Sequence, residues 1–183
     1  MRAFIIVSLL LVVGASAFSQ AGKERFEKYS DGKQLSSDSW MITLEGDTVF
    51  FSKYQGKWVL IDYWSVTCKP CIKELPALNQ YAQENSIENL EIIGVSVDPT
   101  MERWVKLSPK RNLSFPSYFA GRSVDNDLFG LNLSLVQDGE TFTLSTTLPR
   151  YTLVGPDGVI KENEIELKPS DPEFAKYISS MIK

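Results

Sequence analysis

The sequence predicts an α/β fold in which helices flank a central mixed β-sheet. Two apolar segments typical of buried strands, residues 58–64 and 90–97, alternate with segments of helical periodicity, and a hairpin and a last helix follow them. With 183 residues, the chain is long enough for one well-packed core. The formal net charge of −4 gives no support for nucleic-acid binding.

The N-terminus has the pattern of a secretory signal peptide, predicted for residues 1–17. Arg2 supplies the positive charge, residues 3–13 are apolar, and Ala15-Ser16-Ala17 is a small-residue cleavage site. The apolar run is too short for a transmembrane span, although an uncleaved N-terminal anchor stays open as an alternative. No cysteine lies near the cleavage site, which excludes a lipoprotein anchor. We therefore expect an exported, periplasmic protein.

The first half of the mature chain is predicted to begin with a loose polar extension over residues 18–39, before a single domain over residues 40–183. A hairpin follows, with strands at 40–43 and 48–51 around Glu45-Gly46-Asp47. After the strand at 58–64, a helix presents one apolar face formed by Cys71, Leu75, Leu78 and Ala82. Proline is tolerated in the first turn of this helix, at Pro70, but Pro76 is expected to kink it.

The second half is predicted to contain the strand at 90–97 and then a helix, with Asp98 as its N-cap and Pro99 in its first turn. Residues 115–119 and 123–131 have no clear pattern. Residues 134–147 are polar and suggest an inserted loop or hairpin. A further hairpin turns at Gly155-Pro156-Asp157-Gly158, and a C-terminal helix is expected over residues 171–182.

The two cysteines of the chain lie together in Cys68-Lys69-Pro70-Cys71, between the strand at 58–64 and the following helix. This arrangement is typical of a thiol–disulfide redox site. The N-terminal end of the helix favours the thiolate form of the first cysteine, and Lys69 adds a cation beside it.

Other interpretations of the pair have less support. A zinc site needs about four ligands, and this chain has no histidine and no third cysteine. A structural disulfide across two residues would constrain the unfolded chain only weakly. Two buried reduced thiols would suit a cytosolic protein, which the N-terminal signal argues against.

Four features together resemble the exported thioredoxin-like thiol–disulfide oxidoreductases of the TlpA/ResA type, within the AhpC/TSA–redoxin superfamily. They are the strand ending at Trp64, the Cys-x-Pro-Cys motif, Glu74-Leu75-Pro76, and Leu148-Pro149 before a predicted strand. The resemblance implies a thioredoxin-like fold with an N-terminal β-hairpin extension and an insertion before the strand that follows a cis proline.

The resemblance also implies roles for individual residues. Cys68 would attack a partner disulfide and Cys71 would resolve the mixed disulfide, a division of work that the exposed helix-start position of Cys68 also favours. Pro149 would be the cis proline that faces the disulfide, with Leu148 beside it in the surface that binds a partner. The remaining residues expected at this surface are Trp64, which borders the site, and Lys69 and Pro70, which tune the redox couple.

Glu74 lies one turn after Cys71, at the margin of the apolar face of the helix. Partial burial would raise the pKa of its carboxyl group and let it exchange a proton with the thiols. The resemblance places an acidic residue with a role in thiol chemistry at this position. The alternative is a solvated glutamate that only favours the helix dipole.

Two residues depart from the family pattern. Thr67 precedes Cys68 where many relatives carry tryptophan, so the apolar cover of the first thiol is expected to be weaker. Arg150 follows Pro149 where threonine is frequent. Its guanidinium group could favour the thiolate or select acidic partners, or it could be a charge on an edge strand.

The sequence thus predicts an exported thiol–disulfide oxidoreductase, acting as a reductant without a cofactor or metal. Its expected partners are exported proteins with thiols or disulfides and a membrane or exported electron donor, and the chain is expected to be a monomer. Two alternatives stay open. One is a non-catalytic binding module of the same fold. The other is a peroxiredoxin-like peroxidase, although Thr67 is adjacent to Cys68 instead of two residues before it.

Overall fold

A computed structural model describes residues 29–85, 87–123, 125–138 and 141–182. A seven-stranded mixed sheet forms its centre, in the order β2-β1-β5-β4-β3-β8-β9, and β6 and β7 form a separate two-stranded sheet. The strands are β1 (Trp40–Ile42), β2 (Thr48–Phe50), β3 (Trp58–Trp64), β4 (Leu90–Ser96), β5 (Ser117–Phe119), β6 (Leu133–Asp138), β7 (Thr141–Thr146), β8 (Arg150–Val154) and β9 (Ile160–Glu162). The α-helices are α1 (Lys69–Glu84), α2 (Met101–Leu107), α3 (Asp127–Gly130) and α4 (Phe174–Met181), and short 3-10 helices occupy Phe51–Tyr54 and Ser108–Arg111. The predicted fold class is confirmed.

The strand β3 lies at the centre of the sheet and positions the cysteines. It pairs with β4 in parallel and with β8 in antiparallel orientation, and β4 pairs in parallel with β5. The β3–α1–β4 unit is a crossover connection between parallel strands, as the alternation of strand and helix predicts. The cysteine pair therefore follows the carboxyl end of a buried central strand.

Side chains alternate along β3 and β8 and divide the core between the two faces of the sheet. One face, here called the cysteine face, carries Leu60, Trp64 and Tyr151. It packs against side chains of α1, α2 and α4: Cys71, Leu75, Leu78, Trp104, Phe174 and Ile178. The opposite face, here called the arginine face because Arg150 lies on it, carries Val59, Ile61, Tyr63 and Val154 and packs against Leu128, Leu131 and Leu133. The sheet is thus covered on both faces.

The expected insertion before β8 is a β-hairpin formed by β6 and β7, in register from Leu133↔Thr146 to Asp138↔Thr141. The hairpin expected at the N-terminal side is formed by β1 and β2. The segment over residues 18–39 is described only from Tyr29, and this part is packed instead of loose. Tyr29 and Leu35 are buried, and the backbone of residues 32–35 exchanges hydrogen bonds with Gly158 and Ile160. The predicted signal peptide lies outside the described residues.

Two predicted helix starts are wrong. The helix α2 is capped by Thr100, whose side chain accepts a hydrogen bond from Arg103 N, and not by Asp98. The helix α4 begins at Phe174, because the Asp171 carboxylate accepts a hydrogen bond from Lys168 N and closes a turn ahead of the helix. The helix α1 continues through Pro76 to Glu84. Within the described residues, none of the helices combines the length and apolar character needed to cross a membrane.

Candidate active site

The Cys68–Cys71 pair forms a disulfide at the start of α1, with the two Cα atoms 5.3 Å apart. Cys68 is the N-cap of the helix, and its Sγ accepts a hydrogen bond from Cys71 N at 3.2 Å. Cys71 is 1% exposed, whereas Cys68 is partly exposed. A partner molecule approaching from solvent therefore meets the sulfur of Cys68 first.

Asp98 fixes the loop between β3 and the cysteines. It is fully buried and lies two residues after the end of β4. Its carboxylate accepts hydrogen bonds from Ser65 Oγ at 2.7 Å, Val66 N at 3.0 Å and Ser96 Oγ at 2.7 Å. Arg111 donates to Val66 O at 3.0 Å from the other side. Because its oxygens are used in this way, Asp98 does not cap α2. Its role is to fix the approach of the chain to Cys68.

Half of the predicted site residues line one cleft of about 340 Å³ beside the disulfide. Its lining is formed by Lys69, Pro70, Lys73, Glu74, Pro149 and Lys168. The Leu148–Pro149 peptide bond is cis, as the resemblance implied. Leu148 is half-buried and packs against the core on both faces of the sheet. Lys73 and Lys168 were not singled out from the sequence.

The carboxyl group of Glu74 is buried, with the residue 5% exposed, and its Oε2 accepts a hydrogen bond from Ser170 N at 3.1 Å. It is therefore not the solvated first-turn glutamate that was the alternative interpretation. The carboxylate also joins α1 to the segment that precedes α4, on the wall of the cleft.

Trp64 does not lie on the surface of the site. Its indole is completely buried on the cysteine face, and Nε1 donates to Ser117 Oγ at 3.3 Å. The expectation that Trp64 contacts a partner needs correction, since its place is below the cysteines in the core. Thr67 is exposed immediately before Cys68, so the residue gives the first sulfur no apolar cover.

Arg150 is buried, with 3% of the residue exposed, and β8 is paired on both sides. It is therefore neither an edge-strand charge nor available to a partner. Its guanidinium group donates to Leu131 O at 3.1 Å, Leu133 O at 3.4 Å and Ser134 Oγ, and pairs with Glu164 at 3.3 Å. Burial lowers the pKa of this group, and Glu164 opposes that shift. The residue joins β8 to the inserted hairpin.

Asp62 is a buried carboxyl group that the sequence interpretation missed. It lies between Leu60 and Trp64 on β3, so it points to the cysteine face, where Cys71 packs. It is 1% exposed, and no hydrogen-bond partner reaches its Oδ2 within the described residues. Burial raises the pKa of Asp62 from 3.8 to about 8. The sequence did contain an indication of this buried group, because Asp62 is the one charged residue in the strand Trp58–Trp64.

The arrangement can support thiol–disulfide exchange without a metal. No cluster of three or more His, Cys, Asp or Glu side chains suited to a metal ion occurs in the part of the chain that the structure describes. The reactive elements are a disulfide with one accessible sulfur, the N-terminus of α1, and two buried carboxyl groups, Glu74 and Asp62.

The chain is similar in sequence to known redox proteins. Residues 33–163, more than half of the chain, match the AhpC/TSA family. A relative named thiol-disulfide oxidoreductase ResA, from Bacillus thuringiensis subsp. konkukian, is 30% identical over 116 residues. This match covers 62% of the chain and 66% of the relative, just under two thirds of its length. The ResA protein of Geobacillus kaustophilus is 27% identical over 117 residues, covering 63% of the chain and 66% of that protein. The predicted family resemblance is confirmed.

Solved structures share the fold. The thioredoxin domain of a thiol-disulfide oxidoreductase from Bacteroides vulgatus superposes with a TM-score of 0.60 at 22% identity, covering 85% of this chain and 97% of that domain. A thiol:disulfide interchange protein from Bacteroides sp. gives a TM-score of 0.63 at 22% identity, covering 85% of this chain and 91% of that one. At these identities the likeness establishes the thioredoxin-like fold and nothing finer.

Proposed function

The chain belongs to the AhpC/TSA family, and we propose that it is an exported thiol–disulfide oxidoreductase that reduces disulfides of partner proteins through Cys68 and Cys71. The observation that carries this proposal is the asymmetry of the pair. One sulfur is accessible at a helix N-terminus and the other is buried behind it, next to a cleft formed at Pro149. The name of the curated ResA relatives supports the same activity.

The reaction begins with the reduced pair. The Cys68 thiolate attacks one sulfur of a partner disulfide, forms a mixed disulfide, and releases the other partner sulfur as a thiolate that takes up a proton. Cys71, deprotonated, then attacks the Cys68 sulfur. The partner leaves with both sulfurs reduced, and the Cys68–Cys71 disulfide remains. Two electrons pass to the partner in each cycle, and a membrane or exported electron donor restores the dithiol.

The start of α1 stabilises the thiolate that begins this sequence. Because Cys68 is the N-cap, its sulfur lies at the positive end of the helix dipole, and Cys71 N donates a hydrogen bond to it. Lys69 adds a positive charge next in the chain. A lowered pKa of the Cys68 thiol raises the fraction that is present as the nucleophilic thiolate for the first step.

Cys71 needs a proton acceptor, because it is buried and must lose its proton before it can attack. Asp62 faces the same layer of the core, and its pKa of about 8 lies close to that of an ordinary thiol, about 8.5. Glu74, three residues after Cys71 on α1, holds its carboxyl group at the wall of the cleft. We assign the proton of Cys71 to this pair of carboxyl groups, with Glu74 as the exchange point with the cleft. The internal acceptor is the ionised form of Asp62, which at a pKa of about 8 is present in about one molecule in ten at pH 7.

The proposal places the protein in the periplasm, on the basis of the signal-like residues 1–17, and treats it as a monomer that uses no cofactor. The reductant direction follows from the resemblance to the ResA-type enzymes. A non-catalytic binding module of the same fold is the competing function, and the redox behaviour of the pair separates the two.

The first experiment is a redox titration of the mature chain, with the fluorescence of Trp64, which lies in the same core cluster as Cys71, as reporter. A reductant should have a reduction potential near about −250 mV, whereas a value near about −120 mV would indicate an oxidant. Cys71→Ser should accumulate mixed disulfides with partner proteins, and Cys68→Ser, the matched control, should trap none. A pair that does not titrate would leave only the binding module.

The role of the two carboxyl groups is tested by the pH dependence of partner release from the mixed disulfide. We expect Asp62→Asn and Glu74→Gln each to slow this step about 10- to 100-fold at pH 7, with the difference shrinking above about pH 9, where a thiol ionises without help. Glu164→Gln serves as the control, since that carboxyl group is largely exposed and pairs with Arg150 instead. A release rate with an unchanged pH profile in both variants would contradict the assignment.

A further inference from the structure

Three lysines surround the cleft beside the disulfide. Lys69 and Lys73 lie one turn apart on α1 and so project from the same side of the helix, and Lys168 comes from the segment between β9 and α4. Together with Pro70, Glu74 and Pro149 they line a cleft of about 340 Å³. We call these three side chains the lysine cleft. Its position next to Pro149 puts it beside any polypeptide segment that carries a disulfide to Cys68.

The charges of the lysine cleft are available to a ligand. All three lysines are exposed, and within the described residues no carboxylate lies within ion-pair distance of their ammonium groups. Other lysines do have such partners: Lys57 pairs with Glu91, Lys161 with Asp157 and Lys176 with Glu173. The one carboxyl group in the cleft, Glu74, is buried and already accepts a hydrogen bond from Ser170 N. The cleft therefore carries an excess of positive charge.

This local excess contrasts with the chain as a whole, whose formal net charge is −4. A positively charged cleft on a protein with a negative net charge raises the local concentration of negatively charged ligands and steers their approach. Arg150 cannot contribute, because it is buried on the opposite face of the sheet. Arg111 lies behind the loop, where it donates to Val66 O, and the positive charge that lines the cleft itself comes from the three lysines.

We propose that the lysine cleft selects partner proteins in which Asp or Glu residues flank the target disulfide. This inference rests on the proposed function and names the class of substrate for the same site. Lysine ammonium groups are flexible point charges without fixed bidentate geometry. The cleft therefore recognises acidic character near the partner cysteines, and the selection acts mainly on the rate of association.

The test compares three disulfide-bonded peptides that differ only in the two residues beside the cysteines: Asp, Ser or Lys. The fully reduced protein is mixed with each peptide, and the second-order rate of peptide reduction is measured. At low salt we expect the Asp peptide to react at least about 10-fold faster than the Lys peptide, with the Ser peptide between them. At about 1 M salt, where the screening length falls to about 3 Å, the ratio should approach one.

Charge reversal in the lysine cleft provides the matched variants. Lys168→Glu and Lys73→Glu should each lower the Asp-to-Lys rate ratio several-fold, and the double variant should bring it to one or below. Lys33→Glu makes the same change in net charge elsewhere and should keep the wild-type ratio. Lys33 is exposed and lies far from the cysteines. Its carbonyl oxygen accepts a hydrogen bond from Ile160 N on β9. Ile160 pairs with Val154, which pairs with Val59 at the start of β3, whereas the cysteines follow the end of that strand.

The outcomes separate this inference from the proposed function. If no peptide is reduced, the oxidoreductase function itself is wrong. If all three peptides are reduced at equal rates at low salt, the enzyme stands and the lysine cleft has no role in selection. If Lys33→Glu lowers the ratio as much as Lys168→Glu does, the effect comes from net charge alone and the cleft is not the cause.

Discussion

The central sheet buries one ionisable group on each of its faces, at neighbouring positions in the register of β3 and β8. Asp62 pairs with Tyr151 on the cysteine face, and Arg150 pairs with Tyr63 on the arginine face. Both residues are almost inaccessible, at 1% and 3% exposure. They differ in what surrounds them. Arg150 donates to two backbone carbonyls and to Ser134, while no hydrogen-bond partner reaches Oδ2 of Asp62 among the described residues.

Burial by itself therefore does not decide what an ionisable group does. A buried charge that is hydrogen-bonded organises the structure around it, as Arg150 does by tying β8 to the inserted hairpin. A buried carboxyl group that lacks a hydrogen-bond partner at one oxygen, as Asp62 does at Oδ2 among the described residues, has a raised pKa. It is mostly protonated at pH 7, and its minor ionised fraction can accept a proton. The first kind of group stabilises the fold, and the second costs stability where it must ionise.

The sharpest test of this contrast is the pH dependence of stability in Asp62→Asn. In the unfolded chain Asp62 ionises near pH 4, whereas in the folded chain it stays protonated up to about pH 8. The unfolded state therefore binds fewer protons between these values, and wild-type stability should fall with rising pH by about 1.4 kcal/mol per pH unit from this group, on the order of 5 kcal/mol in total.

Asp62→Asn removes this loss, so the variant should gain stability relative to wild type as the pH rises from 4 to 8. Urea denaturation of the oxidised proteins at several pH values measures the difference. If the free energy of unfolding changed with pH in the same way for both proteins, Asp62 would have to be solvated or hydrogen-bonded in the folded state. It would then not differ from Arg150 in the way described.

Arg150→Met gives the next largest expected effect. The substitution keeps much of the apolar volume but leaves the carbonyl groups of Leu131 and Leu133 without their donor. We expect a loss of about 2–4 kcal/mol in the free energy of unfolding, measured by urea denaturation of the oxidised protein. The reduction potential should change little, because Arg150 faces away from the cysteines. A stability equal to that of wild type would show that the hairpin does not depend on this anchor.

The matched control, with the smallest effect, is Glu164→Gln. It removes the ion pair with Arg150 but keeps the hydrogen bonds that the guanidinium group makes to the backbone. The Glu164 side chain is 58% exposed, so solvent screens the pair and the loss should stay below about 1 kcal/mol. A loss as large as that of Arg150→Met would assign the anchoring to the ion pair instead of the backbone carbonyls.

The volume of a cavity is a poor guide to the chemistry of this protein. A cleft of about 650 Å³ lies beside Arg150, and its lining includes the acidic residues Asp31, Glu162, Glu164 and Glu166. The cleft at the disulfide is smaller, at about 340 Å³. Pro149 lines the cleft at the disulfide and the next residue, Arg150, lines the larger one, yet the charged residues of the two linings are mostly of opposite sign.

Much of the fold was accessible from local pattern. The strand at 58–64 was predicted to the residue, because a continuous apolar run between turn signals is typical of a buried central strand. The hairpins and the start of α1 followed from turn residues and the Cys-x-Pro-Cys motif. The start of α2 was not predictable in this way, since Asp98 has the local signature of an N-cap but is used by a loop 32 residues earlier in the chain.

By itself, the sequence determined the α/β fold class, the position of the cysteine pair at a helix N-terminus and the family. These depend on residue types at short spacings, which act locally. Contacts between distant segments were needed to show that Arg150 and Trp64 are buried, and that no partner among the described residues reaches Oδ2 of Asp62. Only the tertiary structure decided that Lys168 joins Lys69 and Lys73 beside Pro149. The physical reason is that burial, pKa and cleft lining arise from contacts between segments far apart in the chain, which no local pattern encodes.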